Sequence, residues 1–323
     1  MVRFARYMLA ACLCLPVVAL GQASTFPMKP ITWVVGFPPG GGVDAVSRLV
    51  AAKMAQNIGQ SVLIENRPGA SSIIAAQYVT QAPADGYTLL SVEQGVMVFN
   101  AAMYSKLPYV ANRDFAPITN LIFAPLVLSV KADFPANDFA SFIEEVKKNP
   151  TKYDYGSPGR GLAHNIAMEV LKERAGLQVP DVQYKGIAPV IQDLTAGQIP
   201  LAVTDTVVVL PHLKSGKIRA LATFSTQRLS VTPDVPALAE LGYPGLDIAP
   251  IVGVATLKAT PPEIIAKLNL EIVRALRDPG VSAKLLGLGL VIVGNSPEQF
   301  AEFLASEEKR WLPIVKKLDI HLD

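Results

Sequence analysis

Two short stretches of this chain can do chemistry with backbone alone. Phe37-Pro38-Pro39-Gly40-Gly41-Gly42-Val43-Asp44 and Ser157-Pro158-Gly159-Arg160-Gly161-Leu162-Ala163-His164 each join a β-forming run to a helical pattern through glycines. A helix N-terminus carries unpaired N–H groups and about half a positive charge from the macrodipole. Glycine lets a ligand touch that backbone. Each junction is therefore a candidate anion site that needs no cationic side chain. Facing one another, they would clamp a carboxylate between Phe37, Pro39, Gly40, Gly41 and Gly42 on one side and Ser157, Gly159, Arg160, Gly161 and Leu162 on the other.

The side chains near these loops each have two readings. Asp44, at the first helix start, is either a cap for the loop N–H groups or a ligand contact. His164, in the first turn of the second helix, either bonds its own loop or touches the ligand. Arg160 is a solvated loop residue or a cationic lid. Asp205 ends an apolar strand near the expected cleft and either accepts a ligand hydroxyl or ammonium or holds a hinge. Glu93 and Gln94 follow the third strand, and either read the far end of the ligand or lie in a solvated loop. Trp33 and Trp311 fall on apolar faces and are expected in the core.

Catalysis finds no such support. Gly36 to Val43 lacks the lysine of a phosphate-binding loop, and its two prolines do not fit a dinucleotide turn. Tyr155-Gly156-Ser157-Pro158-Gly159 misplaces the first glycine of a hydrolase elbow. The 3 histidines have no metal-ligand spacing. No catalytic residue, metal or cofactor is expected.

The elements that would position the loops follow from periodicity. Strands are expected at 31–37, 62–64 and 87–90, with helices from about Val43 to a stop at Gly59 and over 73–79. This strand–helix alternation is the pattern of a parallel sheet covered on both faces. It repeats with strands at 126–130, 153–157 and 182–184 and helices at 140–148, 162–175 and 187–196. Strands are then expected over 199–210 and 218–224. The last third is helical, with Ile265, Leu268, Ile272 and Leu276 on one face and a capping box formed by Ser296 and Gln299. Two such units without a flexible linker predict two lobes joined by crossing strands. Ligands of open α/β sheets bind beyond the carboxyl ends of the strands, which puts the cleft between the lobes.

The N-terminus sets the compartment. Arg3 and Arg6 precede a nearly apolar run from Tyr7 to Leu20, and Gly21-Gln22-Ala23 supplies small residues for a cut before Ser24. About fourteen residues are too few for a spanning helix, and the pattern is that of a secretory signal peptide over 1–23. Leu9-Ala10-Ala11-Cys12 looks like an acylation box and is read as chance. Removing the leader takes away both cysteines and leaves 27 basic and 27 acidic side chains. A neutral chain without cysteine suits an oxidising compartment and gives no electrostatic case for nucleic acid.

The loops also carry a resemblance. Lys29-Pro30-Ile31, Phe37-Pro38-Pro39-Gly40-Gly41 with Asp44, Glu65-Asn66-Arg67-Pro68-Gly69-Ala70 and Asp85-Gly86-Tyr87-Thr88-Leu89-Leu90 resemble the Bug family, the periplasmic substrate-binding proteins of tripartite tricarboxylate transporters. The likeness continues in order through Leu107-Pro108-Tyr109, Asp114-Phe115, Tyr184-Lys185-Gly186, Pro211-His212, Arg219-Ala220-Leu221-Ala222, Pro233-Asp234-Val235-Pro236 and Ser296-Pro297-Glu298. It implies a two-lobed, type II-like Venus-flytrap fold of the periplasmic binding proteins, each lobe a mixed sheet flanked by helices. Lobe 1 would take 24–124 and 248–323, and lobe 2 would take 125–247. It implies a small carboxylate ligand held largely by backbone groups and ordered water, delivery to the membrane permease subunits of a tripartite transporter, and a monomer. The alternative is a protein of the same fold that senses its ligand and signals to a membrane receptor. Three positions depart from the family pattern. Its second loop usually reads Ser-x-Gly-x-Gly-Ser-x-x-His, and Leu162 stands at the second serine. Ile251 stands where an aromatic is common, with Thr256-Leu257 nearby where Ala-Pro is expected. Ser71-Ser72 replace a glycine pair.

Overall fold

The computed structural model describes residues 26–322, so the expected signal peptide, with its cut and the Cys12 box, lies outside the described residues. The first half of the chain runs β1 (Ile31–Val35), α1 (Gly42–Ile58), β2 (Val62–Asn66), α2 (Ile73–Thr80) and β3 (Thr88–Val92). A π-helical turn at Gly95–Phe99 leads into α3 (Asn100–Met103), α4 (Ala111–Asp114) and β4 (Phe115–Phe123). The middle runs β5 (Leu126–Lys131), α5 (Phe139–Lys148), β6 (Tyr155–Ser157), α6 (Ala163–Ala175), β7 (Asp181–Gln183), α7 (Ile187–Thr195), β8 (Leu201–Asp205), α8 (Thr206–Lys214) and β9 (Ile218–Thr223). The chain then returns through β10 (Ile251–Leu257), α9 (Pro262–Leu276), α10 (Pro279–Gly287), β11 (Val291–Ile292) and α11 (Pro297–Lys317).

Two mixed sheets result, each with its helices forming one lobe. A 6-stranded sheet has the order β11-β4-β10-β3-β1-β2, and a 5-stranded sheet has the order β7-β6-β8-β5-β9. β1 pairs parallel with β2 and β3, as the alternation predicts, while β10 and β4 add antiparallel neighbours. Trp33 and Trp311 are both fully buried, and the Trp33 indole N–H donates to Ser91 Oγ at 2.8 Å. Glycines Gly59 and Gly176 end α1 and α6 in the left-handed conformation, and Ser296 and Gln299 form the expected capping box on α11.

One expected element is wrong. The run 199–210 is not a single strand: β8 stops at Asp205 and the chain turns into α8. Thr206 explains the break. Its N–H donates to Pro125 O at 3.1 Å and its hydroxyl donates to Gly289 O at 3.1 Å, which takes the backbone out of the sheet. Val207-Val208-Val209-Leu210 then coil despite β-branching, because Val209 and Leu210 bury their side chains only as a helix face.

The crossings between lobes are tied together. Ala124 N donates to Pro250 O at 2.8 Å. Gln94 clamps the return crossing: its Nε2 donates to Ala249 O at 2.7 Å, and its Oε1 accepts from Ile251 N at 3.0 Å. At the centre of β10, a Cβ on Gly253 would lie 2.4 Å from Phe300 Cζ and 2.7 Å from its Cε1. That ring is fully buried and cannot yield. Gly253→Ala is therefore expected to destabilise the protein by about 1–3 kcal/mol. Calorimetry should show a Tm several degrees lower; an unchanged Tm would contradict this packing.

Candidate functional site

Loop 1 leaves the C-terminal end of β1, and loop 2 leaves the C-terminal end of β6. The structure builds the two to one plan. In loop 1, Gly40 takes φ +84° and its N–H donates to Asp44 Oδ2 at 2.9 Å, with Gly41 as the N-cap of α1. In loop 2, Gly161 takes φ +77° and its N–H donates to Asn165 Oδ1 at 3.0 Å, with Leu162 as the N-cap of α6. Each loop is thus locked by an Asx side chain four residues after a left-handed glycine. Neither N-cap residue makes a side-chain cap bond, so the first-turn N–H groups of both helices have no side-chain acceptor at the cap.

Asp44 is the cap of the two readings. Its carboxylate is buried and accepts from Gly40 N, from Arg48 Nε at 2.9 and 3.0 Å, and from Asn66 Nδ2 at 2.7 Å. Burial pushes this carboxyl upward, but Arg48, Gly40 N–H and Asn66 together hold it below the usual carboxylate range. Facing into its loop with its charge spent on Arg48, it does not repel an anion at the helix N-terminus. Asn66 also donates to Phe37 O at 3.0 Å, fixing the strand-to-loop turn. Phe37 is half-buried, packed against the lobe 1 core, while Pro39, Gly40, Gly41 and Gly42 are exposed.

Loop 2 corrects two expectations. Gly161 is not open to a ligand: it is buried, and a Cβ there would lie 2.4 Å from Met103 Sδ and 3.1 Å from Leu322 Cδ1. Its N–H is already given to Asn165. The family histidine is also displaced by one position: counted from Ser157 along the family pattern, it falls on Asn165, with His164 one residue earlier. Asn165 bonds inward, its Nδ2 donating to the Tyr155 hydroxyl at 2.7 Å. His164 faces Asp205 instead of bonding its own loop. Its Nε2 lies 3.0 Å from Asp205 Oδ2, an ion-pair distance without hydrogen-bond alignment, and both ring nitrogens are buried without a hydrogen-bond partner. Asp205 is the N-cap of α8 and pairs in register with Leu126 beside the first crossing. Ser157 is buried with its hydroxyl turned to Gly159 O at 3.3 Å, Leu162 folds over Gly159, and Arg160 is exposed.

Gln94 is another correction: both ends of its amide are bonded to the return crossing, so it neither reads a ligand nor lies in a solvated loop. Glu93 differs from its neighbour. The residue is half-buried, but its Oε2 is closed off from solvent and has no hydrogen-bond partner. Burial pushes its carboxyl up to about 7, against the Ser72 hydroxyl and the backbone at Val96, which favour the ionised form.

Sequence reasoning missed the wall between the loops. Ala70, Ser71 and Ser72 are three consecutive non-glycine residues in the left-handed region, at φ +44°, +49° and +64°. Such residues cost on the order of 1 kcal/mol each and persist only when their surroundings hold them. Here Ser72 Oγ donates to Gly36 O at 3.3 Å, Asn100 Nδ2 donates to Ser71 O at 3.0 Å, and the Tyr104 hydroxyl donates to Ser71 Oγ at 3.3 Å. Gly36 is obligatory, because a Cβ there would sit 2.4 Å from the Ser72 side chain. Contacts therefore run unbroken from loop 1 through Ser72, Ser71, Asn100 and Met103 to Gly161 in loop 2. The signal available in the sequence was the glycine pair replaced by serines.

A depressed carboxyl stabilises the fold above its unfolded pKa and loses that contribution as pH falls through its folded value. Asp44→Asn should therefore be less stable than the wild type at pH 7. The gap should close as pH falls below about 4. Urea unfolding of both proteins along that pH range checks it; a gap that stays constant would contradict the Asp44 lock.

Comparison with known proteins adds to this geometry. The profile described as tripartite tricarboxylate transporter family receptor matches residues 46–320. Protein BugT of Bordetella pertussis is 32% identical over 297 residues, covering 92% of this chain and 91% of its own. The R. palustris protein Rpa4515, solved with adipate, superposes with a TM-score of 0.84 at 32% identity, over 92% of this chain and 100% of its own. MatC from Rhodopseudomonas palustris, solved with bound malate, gives 0.81 at 32% identity, over 90% and 100%.

Proposed function

The chain belongs to the tripartite tricarboxylate transporter receptor family, and from that premise we propose that it captures a small carboxylate in the cleft between its lobes and delivers it to the membrane permease subunits of a tripartite transporter. The observation that carries this reading is the repeated loop: a left-handed glycine locked by an Asx four residues on, ahead of an uncapped helix start, once in each lobe. The locks take up Gly40 N–H and Gly161 N–H, which leaves the first-turn N–H groups of α1 and α6 for the carboxylate. Two such termini offer hydrogen bonds and dipole charge without a cation whose desolvation would have to be offset. The adipate and malate of the two solved relatives support the ligand class.

Closure is the working step, about the segments at Ala124–Pro125 and near Pro250, which separate lobe 1 (24–124 and 248–323) from lobe 2 (125–247). No bond is made or broken in the ligand. The Ser157 hydroxyl is turned to Gly159 O and His164 faces Asp205, with no hydrogen bond between the serine and the histidine. The protein works as a monomer in the periplasm after its leader is removed.

Gly41 is the position that tests the clamp. It has φ −75°, is exposed, and a Cβ there meets only Pro38 O at 3.6 Å, so a side chain is compatible with the fold. Gly41→Leu should keep an unliganded Tm near that of the wild type and lose about a hundredfold or more in carboxylate affinity. The readout is a thermal-shift titration with di- and monocarboxylates on refolded protein, where a native-state ligand adds about 2.7 kcal/mol at a hundred times its Kd. Wild-type shifts in the variant would remove the anion site from loop 1.

A further inference from the structure

The two glycine loops share one plan but not one setting. The space that a Cβ on Gly40 of loop 1 would take is open, with no atom within 4 Å. The same space at Gly161 of loop 2 is filled: a Cβ there would lie 2.4 Å from Met103 Sδ, 2.9 Å from Met103 Cε and 3.1 Å from Leu322 Cδ1. Loop 2 leaves β6 of the 5-stranded sheet. Met103 ends α3 and Leu322 follows α11, and α11 packs on both α3 and β4 of the 6-stranded sheet. Two side chains of lobe 1 therefore sit on the backbone of the lobe 2 loop.

That seat is braced from its own side. The chain leaves α11 through Asp319 at φ +51° and turns back, so that Leu322 N donates to Met103 O at 3.0 Å. Met103 and Ile320 belong to the buried apolar cluster, Leu318 and Leu322 pack against it, and Asp319 and His321 are exposed. On its inner side loop 2 is held by its own lobe. Gly161 N donates to Asn165 Oδ1, Asn165 Nδ2 donates to the Tyr155 hydroxyl, and that hydroxyl donates to Glu169 Oε1 at 2.7 Å. The glycine backbone thus lies between a hydrogen-bonded lock and an apolar seat. The next residue, Leu162, is the N-cap of α6 and brings no side-chain cap, so the aim of the first-turn N–H groups follows from how Gly161 is held.

We propose that Met103 and Leu322 are positioning residues for ligand capture, through which lobe 1 sets the aim of the lobe 2 anion loop. The inference rests on the carboxylate reading of the two loops and adds to it. Neither side chain needs to touch the ligand. Glycine has no side chain with which to anchor its own backbone, and the two apolar groups supply that restraint from across the lobes. Loop 1 has no such support at Gly40, and its aim is set within lobe 1 by Asp44, Arg48 and Asn66. Loss of the seat should leave the lobes folded and loosen loop 2, so that the ligand must order it on binding and affinity falls.

The test measures Kd by calorimetry for succinate, malate and adipate, at a temperature well below the Tm of each protein. Hydrogen exchange read by mass spectrometry compares the amides of loop 1 and loop 2 without ligand. Leu322→Ala, at a half-buried site beyond α11, should fold, bind about tenfold more weakly whichever probe the wild type binds, and exchange faster in loop 2 but not in loop 1. Met103→Ala should lose affinity in the same way, and Met103→Leu, which returns an apolar side chain of similar volume to the seat, should restore it. His321→Ala, on the exposed side of the same segment, should bind as the wild type does. Wild-type Kd in Leu322→Ala and Met103→Ala, an equal loss in His321→Ala, or a loss without faster exchange in loop 2 overturns the inference and leaves the carboxylate reading standing. No binding of any probe to the wild type overturns the carboxylate reading and the inference with it.

Discussion

A helix start leaves backbone N–H groups without acceptors, and the chain must either satisfy them or keep them for something else. In α1 and α6 it does both. One donor per loop, Gly40 N–H or Gly161 N–H, goes to an Asx side chain inside the loop and fixes its shape. The N-cap residues Gly41 and Leu162 bring no side-chain acceptor, so the remaining donors keep their direction and their partial charge. Asp44 can serve as such a lock only because Arg48 and Asn66 meet its charge; a bare aspartate there would cancel the field that makes the terminus useful.

The rest of the molecule orients these two termini. Lobe 1 presents α1 from the end of β1, lobe 2 presents α6 from the end of β6, and the crossings decide how the two meet. Those crossings are held by few bonds, among them Ala124 N to Pro250 O and the two-ended grip of Gln94 on Ala249 and Ile251. Thr206 adds another link by bonding Gly289 of the opposite lobe. Apolar packing joins the lobes as well: one buried cluster runs from Val34, Phe99 and Met103 in the first to Leu126, Phe142 and Tyr155 in the second.

Strain collects between the two glycine loops. Three left-handed non-glycine residues at 70–72 stand in a turn where the family pattern has a glycine pair at 71–72, and hydroxyl and amide bonds from Asn100, Tyr104 and Ser72 itself hold them. Serine at 72 places a hydroxyl beside Glu93, a carboxyl whose buried Oε2 lacks a donor. That conformational cost persists because these surrounding bonds hold the turn.

Much of this was legible in the sequence because it is set locally. The glycine stops at Gly59 and Gly176, the Ser296–Gln299 box, the buried Trp33 and Trp311 and the two glycine junctions all follow from residues within a few positions of one another. The Gly-x-x-x-Asx spacing was present too, but only the left-handed φ of Gly40 and Gly161 gives it meaning. Other features depended on partners far along the chain. Thr206 to Leu210 became helix because Pro125 and Gly289 took the bonds of Thr206. Gln94 became a hinge clamp because the segment after Ala249 returns beside it. Gly161 was covered because α3 brings Met103 onto it. A strand or helix pattern records which neighbours in sequence agree, whereas a buried donor or carboxyl takes whichever partner the packed chain brings within about 3 Å, and that choice exists only in the tertiary structure.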